Sequence, residues 1–442
     1  MLGGNMTLEA ILPVLMFLLL LVLIFLKMPV FVALFLTAII FGSLLWGIEQ
    51  ALSTAFNGLW SVMNNWGLVA MPLFVFTASL LEASGIVDDM YKTFYMWLGR
   101  LRGSLYIITM ALGAVIGAMT GVVAAGVSTL TLIIYPQMLK FQYPKRLSMG
   151  ITMFAGTLPQ LIPPSLNMVV YGMTIGVSVA KMFAGGIGLG IVMTILGIVY
   201  SLIWCQLHKD LIPIVDVQIK LKEKVSALVG IVPPVVIILG ILGSLFAGIA
   251  TPTEASGVGA LLVLLYSIIT RRLTWKGLMK ALRDALIVTT MYCWIASGGL
   301  TFGAVFSACG GRQLFSSVLL SLPYPQYTVI AVSVALLFIL GMFLDTITII
   351  IVFGSILAPI IHGLGYDPVW WGVVFCTALI ASYLTPPVAP AIYYFKSLRP
   401  EEPMDELIRA VIPFTLLVAI TVIIGIIFPE TVMFFIRLFY KG

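Results

Sequence analysis

Two proline pairs are the residues of this sequence whose type and position point most clearly to chemistry. Pro163-Pro164 and Pro386-Pro387 each lie inside a long apolar run. A proline cannot donate a backbone N–H to the carbonyl four residues earlier, so each pair frees carbonyl oxygens within that run. The hydroxyl residues nearest to the two pairs are Thr157, Ser165, Ser382 and Thr385. Carbonyls beside hydroxyls, without thiols or imidazoles, suit a hard monovalent cation such as Na⁺. The alternative is a helix kink that neighbouring side chains or water satisfy.

Asp345 is the outstanding acidic residue, because the ten residues on either side of it are mostly apolar. A carboxylate embedded in a membrane is a functional hypothesis by default, and this one could neutralise a bound cation. It could also cap a helix that begins at Thr346, and the two roles are compatible. Glu254 lies in a different pattern, Thr251-Pro252-Thr253-Glu254, which is a helix-start signal. We therefore interpret Glu254 as a capping residue.

The composition defines the environment of these residues. The 442-residue chain is 61% hydrophobic and only 9% charged, whereas a soluble domain carries about 25% charged residues. Apolar runs of about 20 residues are typical of transmembrane helices, so we predict an all-α polytopic membrane protein. Single spans are predicted at 10–26, 29–47, 67–85, 147–172, 182–206, 225–246, 254–270, 285–308, 367–395 and 406–428, with a short or tilted helix at 48–66.

The basic residues indicate which loops lie in the cytoplasm. Most of the 23 Lys and Arg fall in alternate loops. This asymmetry follows the positive-inside rule and places the N-terminus in the periplasm or exterior. The exceptions are Lys181, Arg312, Arg437 and Lys441. Because topology accounts for the net charge of +6, we expect no nucleic-acid partner.

Two apolar segments, 104–139 and 326–361, are too long for one helix. The first has basic residues at both ends, including Arg100, Arg102, Lys140 and Lys145, and the second has none at either end. Each segment therefore starts and finishes on one side of the membrane, the first in the cytoplasm and the second outside. We predict two re-entrant helical hairpins, with bends near 117–121 and 341–346. The alternative for 104–139 is two ordinary spans.

A shift of 223 residues aligns the two halves of the chain. The coinciding residues include Pro136 with Pro359, Tyr143 with Tyr366, Pro163-Pro164 with Pro386-Pro387, and Tyr171 with Tyr394. Each half thus consists of a hairpin followed by a span broken by Pro-Pro, at 147–172 and 367–395. Because the two hairpins enter from opposite sides, the repeats are inverted. Inverted repeats with broken helices indicate a secondary transporter with a site at the bilayer midplane.

Other functional classes find little support in the sequence. The chain contains no HExxH, GxSxG or GxxxxGK[ST] motif, so we predict neither an enzyme nor an organic cofactor. An ion channel would not require paired hairpins. A structural scaffold would leave Asp345 and both proline pairs without a role.

Four motifs in this order resemble one transporter family. They are Ile162-Pro163-Pro164-Ser165, Ala250-Thr251-Pro252-Thr253-Glu254-Ala255, Gly341-Met342-Phe343-Leu344-Asp345-Thr346 and Leu384-Thr385-Pro386-Pro387-Val388. Over essentially its whole length the chain resembles the large membrane (M, DctM-like) subunit of tripartite ATP-independent periplasmic (TRAP) transporters. The resemblance implies an elevator-type carrier that is driven by sodium, with two or more coupling Na⁺ ions and no other metal. It also implies a small four-helix membrane (Q) subunit and a periplasmic substrate-binding (P) protein that delivers an organic acid, such as a C4-dicarboxylate or a similar carboxylate or sulfonate.

The resemblance also implies site residues. The first sodium site carries over to Thr120, Gly121, Thr157 and Pro163, and the second to Gly341, Asp345, Thr385 and Pro386. The substrate is expected near Ser165, Asn167, Thr346 and Ser382. The chain departs from the family pattern at two positions. Val122 replaces the second serine of a Ser-Gly-Ser tip, and Ala389 replaces a glycine. A stand-alone sodium/dicarboxylate symporter of similar architecture is the alternative. We expect no Lys or Arg near either tip, so hydroxyls, half-helix N-termini or bound sodium would have to meet a substrate carboxylate.

The resemblance divides the chain into scaffold and transport regions. Residues 1–103 are expected to form scaffold helices and an amphipathic arm at 88–102, and residues 207–308 further scaffold helices with a second arm at 271–284. Residues 104–206 and 309–400 would form the two transport repeats. Residues 401–442 would form a C-terminal helix. Plain surface helices are an equally good interpretation of the two arms.

Overall fold

The computed structural model describes residues 5–99, 101–211 and 221–440, and every regular element within these ranges is helical. The first five helices are α1 (Asn5–Phe25), α2 (Val30–Trp46), α3 (Ile48–Met63), α4 (Ala70–Ser84) and α5 (Ile86–Leu98). Helix α3 is the short helix predicted at 48–66, and α5 lies in the predicted arm at 88–102. Arg100, Lys220 and Lys441, which contributed to the charge pattern, lie outside the described residues.

The first hairpin and the first broken helix follow. Their elements are α6 (Ser104–Thr120), α7 (Val123–Ile133), α8 (Tyr135–Lys140), α9 (Lys145–Ala155), α10 (Leu166–Ile175) and the long α11 (Val179–Leu207). The rings of Tyr106 and Tyr143, at the two ends of the hairpin, lie 5.0 Å apart, so the chain leaves the hairpin where it entered. The tip at Gly121 reaches only the proline break, and α10 continues beyond it. The segment is therefore a hairpin that stops halfway along its neighbour rather than two full spans.

The middle of the chain contains one difference from the predicted elements. Its helices are α12 (Leu221–Ala227), α13 (Val232–Ile238), α14 (Ser244–Phe246), α15 (Pro252–Ile269) and α16 (Trp275–Ala308). Thr251 and Glu254 form a reciprocal capping box at the start of α15, which confirms the capping interpretation of Glu254. The amphipathic segment predicted at 271–284 is largely continuous with the following span. No proline interrupts the chain after the cap at Thr274, so one 34-residue helix includes both the arm and the following span.

The second half repeats the hairpin and the broken helix. Its elements are α17 (Gly311–Leu320), α18 (Pro325–Gly341), α19 (Thr346–Ile349), α20 (Ser355–Gly363), α21 (Pro368–Ala378), α22 (Ile380–Leu384) and α23 (Pro390–Leu398). A π-helical turn, Ile350–Gly354, joins α19 to α20. The hairpin bends between Gly341 and Thr346, as predicted, and the Tyr366 hydroxyl donates to the Gln326 carbonyl across its base at 2.9 Å.

The C-terminal segment 401–442 contains two helices rather than the single helix expected. They are α24 (Met404–Ile427) and α25 (Glu430–Phe439). Pro429 accounts for the break, because the residue before a proline is disfavoured in helical conformation. Helix α25 packs closely against α11, since a Cβ atom added to Gly188 would lie 1.6 Å from the Thr431 carbonyl oxygen.

The helices pack in two groups. In one group α2, α3, α4, α15 and α16 contact one another, and in the other α9, α11, α21 and α24 pack around the two breaks. Glycine allows close approach in the first group, where a Cβ atom at Gly58 would meet the Thr301 hydroxyl at 2.6 Å. Within the described residues, seven helices are long and apolar enough to cross a membrane, and further apolar helices are shorter. The chain is thus an all-helical, multi-pass membrane protein.

Candidate functional site

The tip of the first hairpin rests directly on the first proline break. Helix α6 ends at Thr120, and Gly121 has a left-handed backbone with φ of +67°. A Cβ atom added to Gly121 would lie 2.2 Å from the carbonyl oxygen of Pro164. Only glycine suits both the backbone conformation and the contact. The tip and the break therefore form one unit.

Two threonine hydroxyls accompany this contact, and both are fully buried. The Thr120 hydroxyl donates to the Ile116 carbonyl at 2.8 Å, and the Thr157 hydroxyl donates to the Phe154 carbonyl at 2.7 Å. Because each hydroxyl hydrogen is engaged within its own segment, the oxygen lone pairs remain available to accept a hydrogen bond or to coordinate a cation. The first candidate set thus supplies oxygen ligands of the kind that Na⁺ requires.

The first break contains a cis peptide bond between Pro163 and Pro164. Ser165 closes the break, because its hydroxyl donates to the Gln160 carbonyl at 2.6 Å and accepts from the Met168 N–H at 3.4 Å. One of the carbonyls that the prolines release therefore already has a donor. Ser165 caps α10 and stabilises the break itself.

The tip of the second hairpin contacts the second break in a similar way. A Cβ atom added to Gly341 would lie 2.6 Å from the Cβ atom of Ser382, and the Val388 N–H donates to the Met342 carbonyl at 3.3 Å. Direct contact between a hairpin tip and a proline break therefore occurs in both halves of the chain.

Asp345 caps α19 at this second tip. One carboxylate oxygen accepts from the backbone N–H groups of Ile347 (2.9 Å) and Thr348 (3.0 Å), and the other accepts from the Thr348 hydroxyl. The capping role predicted for Asp345 is confirmed. Three donors compensate the partly buried carboxylate in part. Its unused lone pairs can still accept a hydrogen bond or coordinate a cation.

The second break also has a cis peptide bond, between Pro386 and Pro387. The Thr385 hydroxyl donates to the Ala381 carbonyl at 2.7 Å, and the Ser382 hydroxyl donates to the Leu379 carbonyl. Ala389, the residue that replaces the usual glycine, has a left-handed backbone with φ of +31°. This conformation explains why glycine suits the position, since L-residues adopt it at a cost.

A chain of hydrogen bonds joins the two breaks, and sequence reasoning did not single out its central pair. The Gln160 side-chain amide donates to the Tyr383 hydroxyl. The Thr346 hydroxyl lies 3.0 Å from the Tyr383 hydroxyl and donates to Asn167 Oδ1 at 3.2 Å. Gln160 and Tyr383 are separated by 223 residues, the shift that aligns the repeats. They are thus equivalent positions that meet each other, and that shift was the available signal.

Two cavities border the hairpin tips. A cavity of about 510 Å³ lies beside the second tip, between Asp345, Thr346, Ser382 and Tyr383 on one side and residues of α2 and α16 on the other. Its lining includes no Lys or Arg among the described residues. A cavity of about 330 Å³ lies beside the first tip. Val122 lines it together with the α16 residue Lys280, so the expectation that no basic residue lies near either tip was wrong there.

Lys280 is not a free cation in this cavity. Its ammonium group pairs with Glu82 at 3.1 Å, and Asp284, which also lines the cavity, accepts from the Ser79 hydroxyl at 2.7 Å. Within the described residues, no group of three His, Cys, Asp or Glu side chains could hold a metal ion. The oxygen atoms at the two tips instead suit a weakly bound, hard monovalent ion.

Two hairpins seated on two broken helices define a class of protein, the helical membrane transporters with inverted repeats. The comparison with protein families is specific: the description "Tripartite ATP-independent periplasmic transporter, DctM component" matches residues 17–431. The chain belongs to this family. It is therefore a permease component of an ATP-independent, tripartite transport system, and its relatives are named as permeases rather than as enzymes.

Curated relatives carry different substrate names. The ectoine/5-hydroxyectoine TRAP transporter large permease of Ruegeria pomeroyi is 26% identical, with 95% of this chain and 97% of the relative covered. The sialic acid TRAP transporter large permease of Vibrio cholerae is also 26% identical, over 89% and 90% of the two chains. The C4-dicarboxylate TRAP transporter large permease of Pseudomonas aeruginosa is 27% identical, over 84% and 86%.

Solved structures share the fold at low sequence identity. The YdaH transporter of Alcanivorax borkumensis superposes with a TM-score of 0.62 at 12% identity and covers 89% of each chain. MtrF of Neisseria gonorrhoeae superposes with a TM-score of 0.56 at 11% identity, over 88% of this chain and 84% of its own. Both likenesses concern the helical architecture alone.

Proposed function

We propose that this chain imports an organic acid together with Na⁺ across the bacterial inner membrane, with its N-terminus in the periplasm. Two or more Na⁺ ions would bind at the hairpin tips. The first site comprises Thr120, Gly121, Thr157 and Pro163, and the second comprises Gly341, Asp345, Thr385 and Pro386. The observation that carries the proposal is that each hairpin tip lies against the proline break of its own repeat. This arrangement gathers hydroxyls and backbone carbonyls where a dehydrated Na⁺ ion needs them.

The position of the larger cavity supports an elevator mechanism. The cavity separates the second tip from Phe31, Met291 and Ile295 of the other helix group. A site at the boundary between two helix groups can be exposed to one side and then to the other when one group slides. We propose that the two repeats, 104–206 and 309–400, move as the transport part against scaffold regions 1–103 and 207–308.

The proposed substrate is an organic acid, the class that the sialic acid and C4-dicarboxylate names of the relatives share. It would bind near Ser165, Asn167, Thr346 and Ser382. Among the described residues, the cavity at the second tip is lined by no Lys or Arg. The carboxylate would therefore be met by the amide of Asn167, by hydroxyls, by helix N-termini and by the bound Na⁺ ions.

The proposed partners are a small four-helix membrane (Q) subunit and a periplasmic substrate-binding (P) protein. The family description supports this assignment, because it names a tripartite system. A stand-alone sodium/dicarboxylate symporter of similar architecture is the second candidate. It differs from the first in needing neither partner.

Uptake into proteoliposomes tests the proposal. Vesicles would contain this chain and the small subunit, with a substrate-loaded binding protein outside and an imposed Na⁺ gradient. We expect uptake to require both Na⁺ and the binding protein. Full activity without the binding protein would favour the stand-alone symporter, and uptake independent of Na⁺ would refute the coupling.

Asp345→Asn tests the second sodium site in the same vesicles. Asparagine caps a helix about as well as aspartate, so the variant removes the charge and keeps much of the cap. We expect the half-saturating Na⁺ concentration to rise roughly tenfold or more, as for the loss of a charged ligand worth about 1.4 kcal/mol or above. Asp367→Asn is the control, because Asp367 caps α21 through the same two backbone contacts. An equal response of the two variants would remove Asp345 from the site.

A further inference from the structure

The hydrogen bond between Gln160 and Tyr383 joins the two candidate sodium sites. Gln160 lies between Thr157 and Pro163 of the first set, and its backbone N–H donates to the Thr157 carbonyl at 3.0 Å. Tyr383 directly precedes the segment that contains Thr385 and Pro386 of the second set. The side chains of these equivalent positions thus form a direct polar contact between the two breaks.

The hydrogen bonds have a consistent direction from the first break to the second tip. The Gln160 amide donates to the Tyr383 hydroxyl, which in turn can donate to Thr346, and Thr346 donates to Asn167. Each hydroxyl in this chain then uses its single hydrogen once and accepts once. Buried hydrogen bonds of this kind polarise one another, so a change at one end is felt at the other.

The two residues at the ends of this hydrogen-bonded series, Gln160 and Asn167, each have a polar atom without a hydrogen-bond partner in the described structure. Gln160 Oε1 and Asn167 Nδ2 are buried atoms without a protein partner in the described structure, and the two residues are only 4% and 2% exposed. Buried polar atoms are almost always paired. A bound ligand or water beside the first break has to meet them, which indicates that this region is completed by something other than protein.

From this geometry we propose that Gln160 and Tyr383 are positioning residues that make the two Na⁺ ions bind cooperatively. The inference rests on the sodium coupling proposed above. A Na⁺ ion in the first site fixes the backbone from Thr157 to Pro163 and with it the direction of the Gln160 side chain. Gln160 then holds Tyr383, and so the second break, in the conformation that binds the second ion. Because the first ion has already ordered the second break, binding of the second ion costs less conformational entropy, and the second ion binds more tightly. The effect is reciprocal, since either ion raises the affinity for the other by the same factor.

Tyr383→Phe removes the hydroxyl and keeps the aromatic ring. In reconstituted vesicles with saturating substrate-loaded binding protein, the wild-type Na⁺ dependence is expected to be sigmoidal, with a Hill coefficient approaching about 2 for two sites. In the variant we expect a Hill coefficient near about 1 and a half-saturating Na⁺ concentration at least about fivefold higher. A Na⁺ titration of the melting temperature in detergent, with K⁺ replacing Na⁺, reports the same binding curve without transport.

Tyr171→Phe is the matched control. Tyr171 is fully buried on α10, and its hydroxyl has no partner in the described structure, so its removal breaks no hydrogen bond. We expect this variant to keep the wild-type Hill coefficient. A loss of cooperativity in Tyr171→Phe as well would assign the effect to packing and overturn the inference.

A double-mutant cycle separates this inference from the proposed function. Gln160→Met should reproduce the loss of cooperativity, and combining it with Tyr383→Phe should add little, since both remove the same bond. Additive effects, or an unchanged Hill coefficient in Tyr383→Phe, would overturn the coupling role while Na⁺ dependence remained. The coupling role would also be refuted if the wild-type protein bound Na⁺ with a Hill coefficient of about 1. A wild-type protein without any Na⁺ dependence would refute the sodium coupling itself and the inference with it.

Discussion

Replacing Gly121 by alanine is the sharpest perturbation of the contact between the first hairpin tip and its break. The new Cβ atom would lie 2.2 Å from the Pro164 carbonyl oxygen, whereas ordinary contact starts at 3.4 Å. The tip must therefore retreat by roughly 1 Å, and a misplacement of that size can cost about 10²-fold in activity. The left-handed backbone adds about 1–2 kcal/mol of strain for a residue with a side chain. We expect Gly121→Ala to reduce Na⁺-dependent uptake about 10²-fold.

Gly176→Ala separates the contact from the backbone strain. Gly176 ends α10 with φ of +79°, and no atom lies within 4 Å of the Cβ position. Both variants place a side chain on a left-handed backbone. The resulting strain should therefore lower the melting temperature in detergent by a similar amount in each. Only Gly121→Ala also displaces the tip from the break. We therefore expect Gly176→Ala to keep uptake within a few-fold of the wild-type rate.

The comparison of these two variants decides whether the contact matters for transport. Uptake would be measured in the vesicles described above, with the amount of inserted protein determined for each variant. Uptake by Gly121→Ala as fast as that by Gly176→Ala would refute the reasoning, because a displaced tip would then leave transport unaffected. If Gly121→Ala remains folded but Na⁺ no longer raises its melting temperature, the loss of uptake results from the loss of Na⁺ binding at the site itself.

Two further predictions concern stability and use internal controls. Ala389→Gly relieves a left-handed backbone and should stabilise the protein by up to about 1 kcal/mol. Ala391→Gly, at the buried start of α23, should destabilise the protein by a similar amount. A melting temperature that falls in both variants would show that the strain at Ala389 is negligible. Glu402 is almost fully buried and pairs with Lys145 at 2.7 Å, so Glu402→Ala should cost about 1–3 kcal/mol. Glu401→Ala removes an exposed carboxylate and should cost well under about 1 kcal/mol, so equal melting temperatures for the two glutamate variants would contradict this assignment.

Much of the fold was predictable because it depends on local chemistry. Apolar run length defined most of the spans, and the proline pairs marked both broken helices, since a missing N–H disrupts a helix in any context. The bend between Gly341 and Thr346 and the cap at Asp345 also follow from residue type, because glycine ends helices and aspartate starts them. The hidden repeat was readable for the same reason, as its strongest matches are these helix-breaking residues.

Predictions failed where no local signal distinguishes two outcomes. The segment 271–284 is amphipathic, but an amphipathic stretch can lie apart or continue into a span, and the chain here continues into α16. Residues 430–439 were expected to belong to one C-terminal helix over 401–442, but they form a separate helix. Their helix packs against glycines of α11, which are distant in sequence. Lys280 likewise reaches the cavity at the first tip only because α16 packs beside α4.

The sequence by itself determined the helix breaks, the capping residues and the oxygen-rich character of the two tips, because these depend on the chemistry of single residues and their near neighbours. Tertiary structure decided which tip lies on which break, and it brought Gln160 against Tyr383 across 223 residues. Such contacts form only when the two repeats pack against each other and equivalent positions meet. The physical reason is that hydrogen bonds and steric contacts act over a few ångströms in space, and distance along the chain does not specify distance in space.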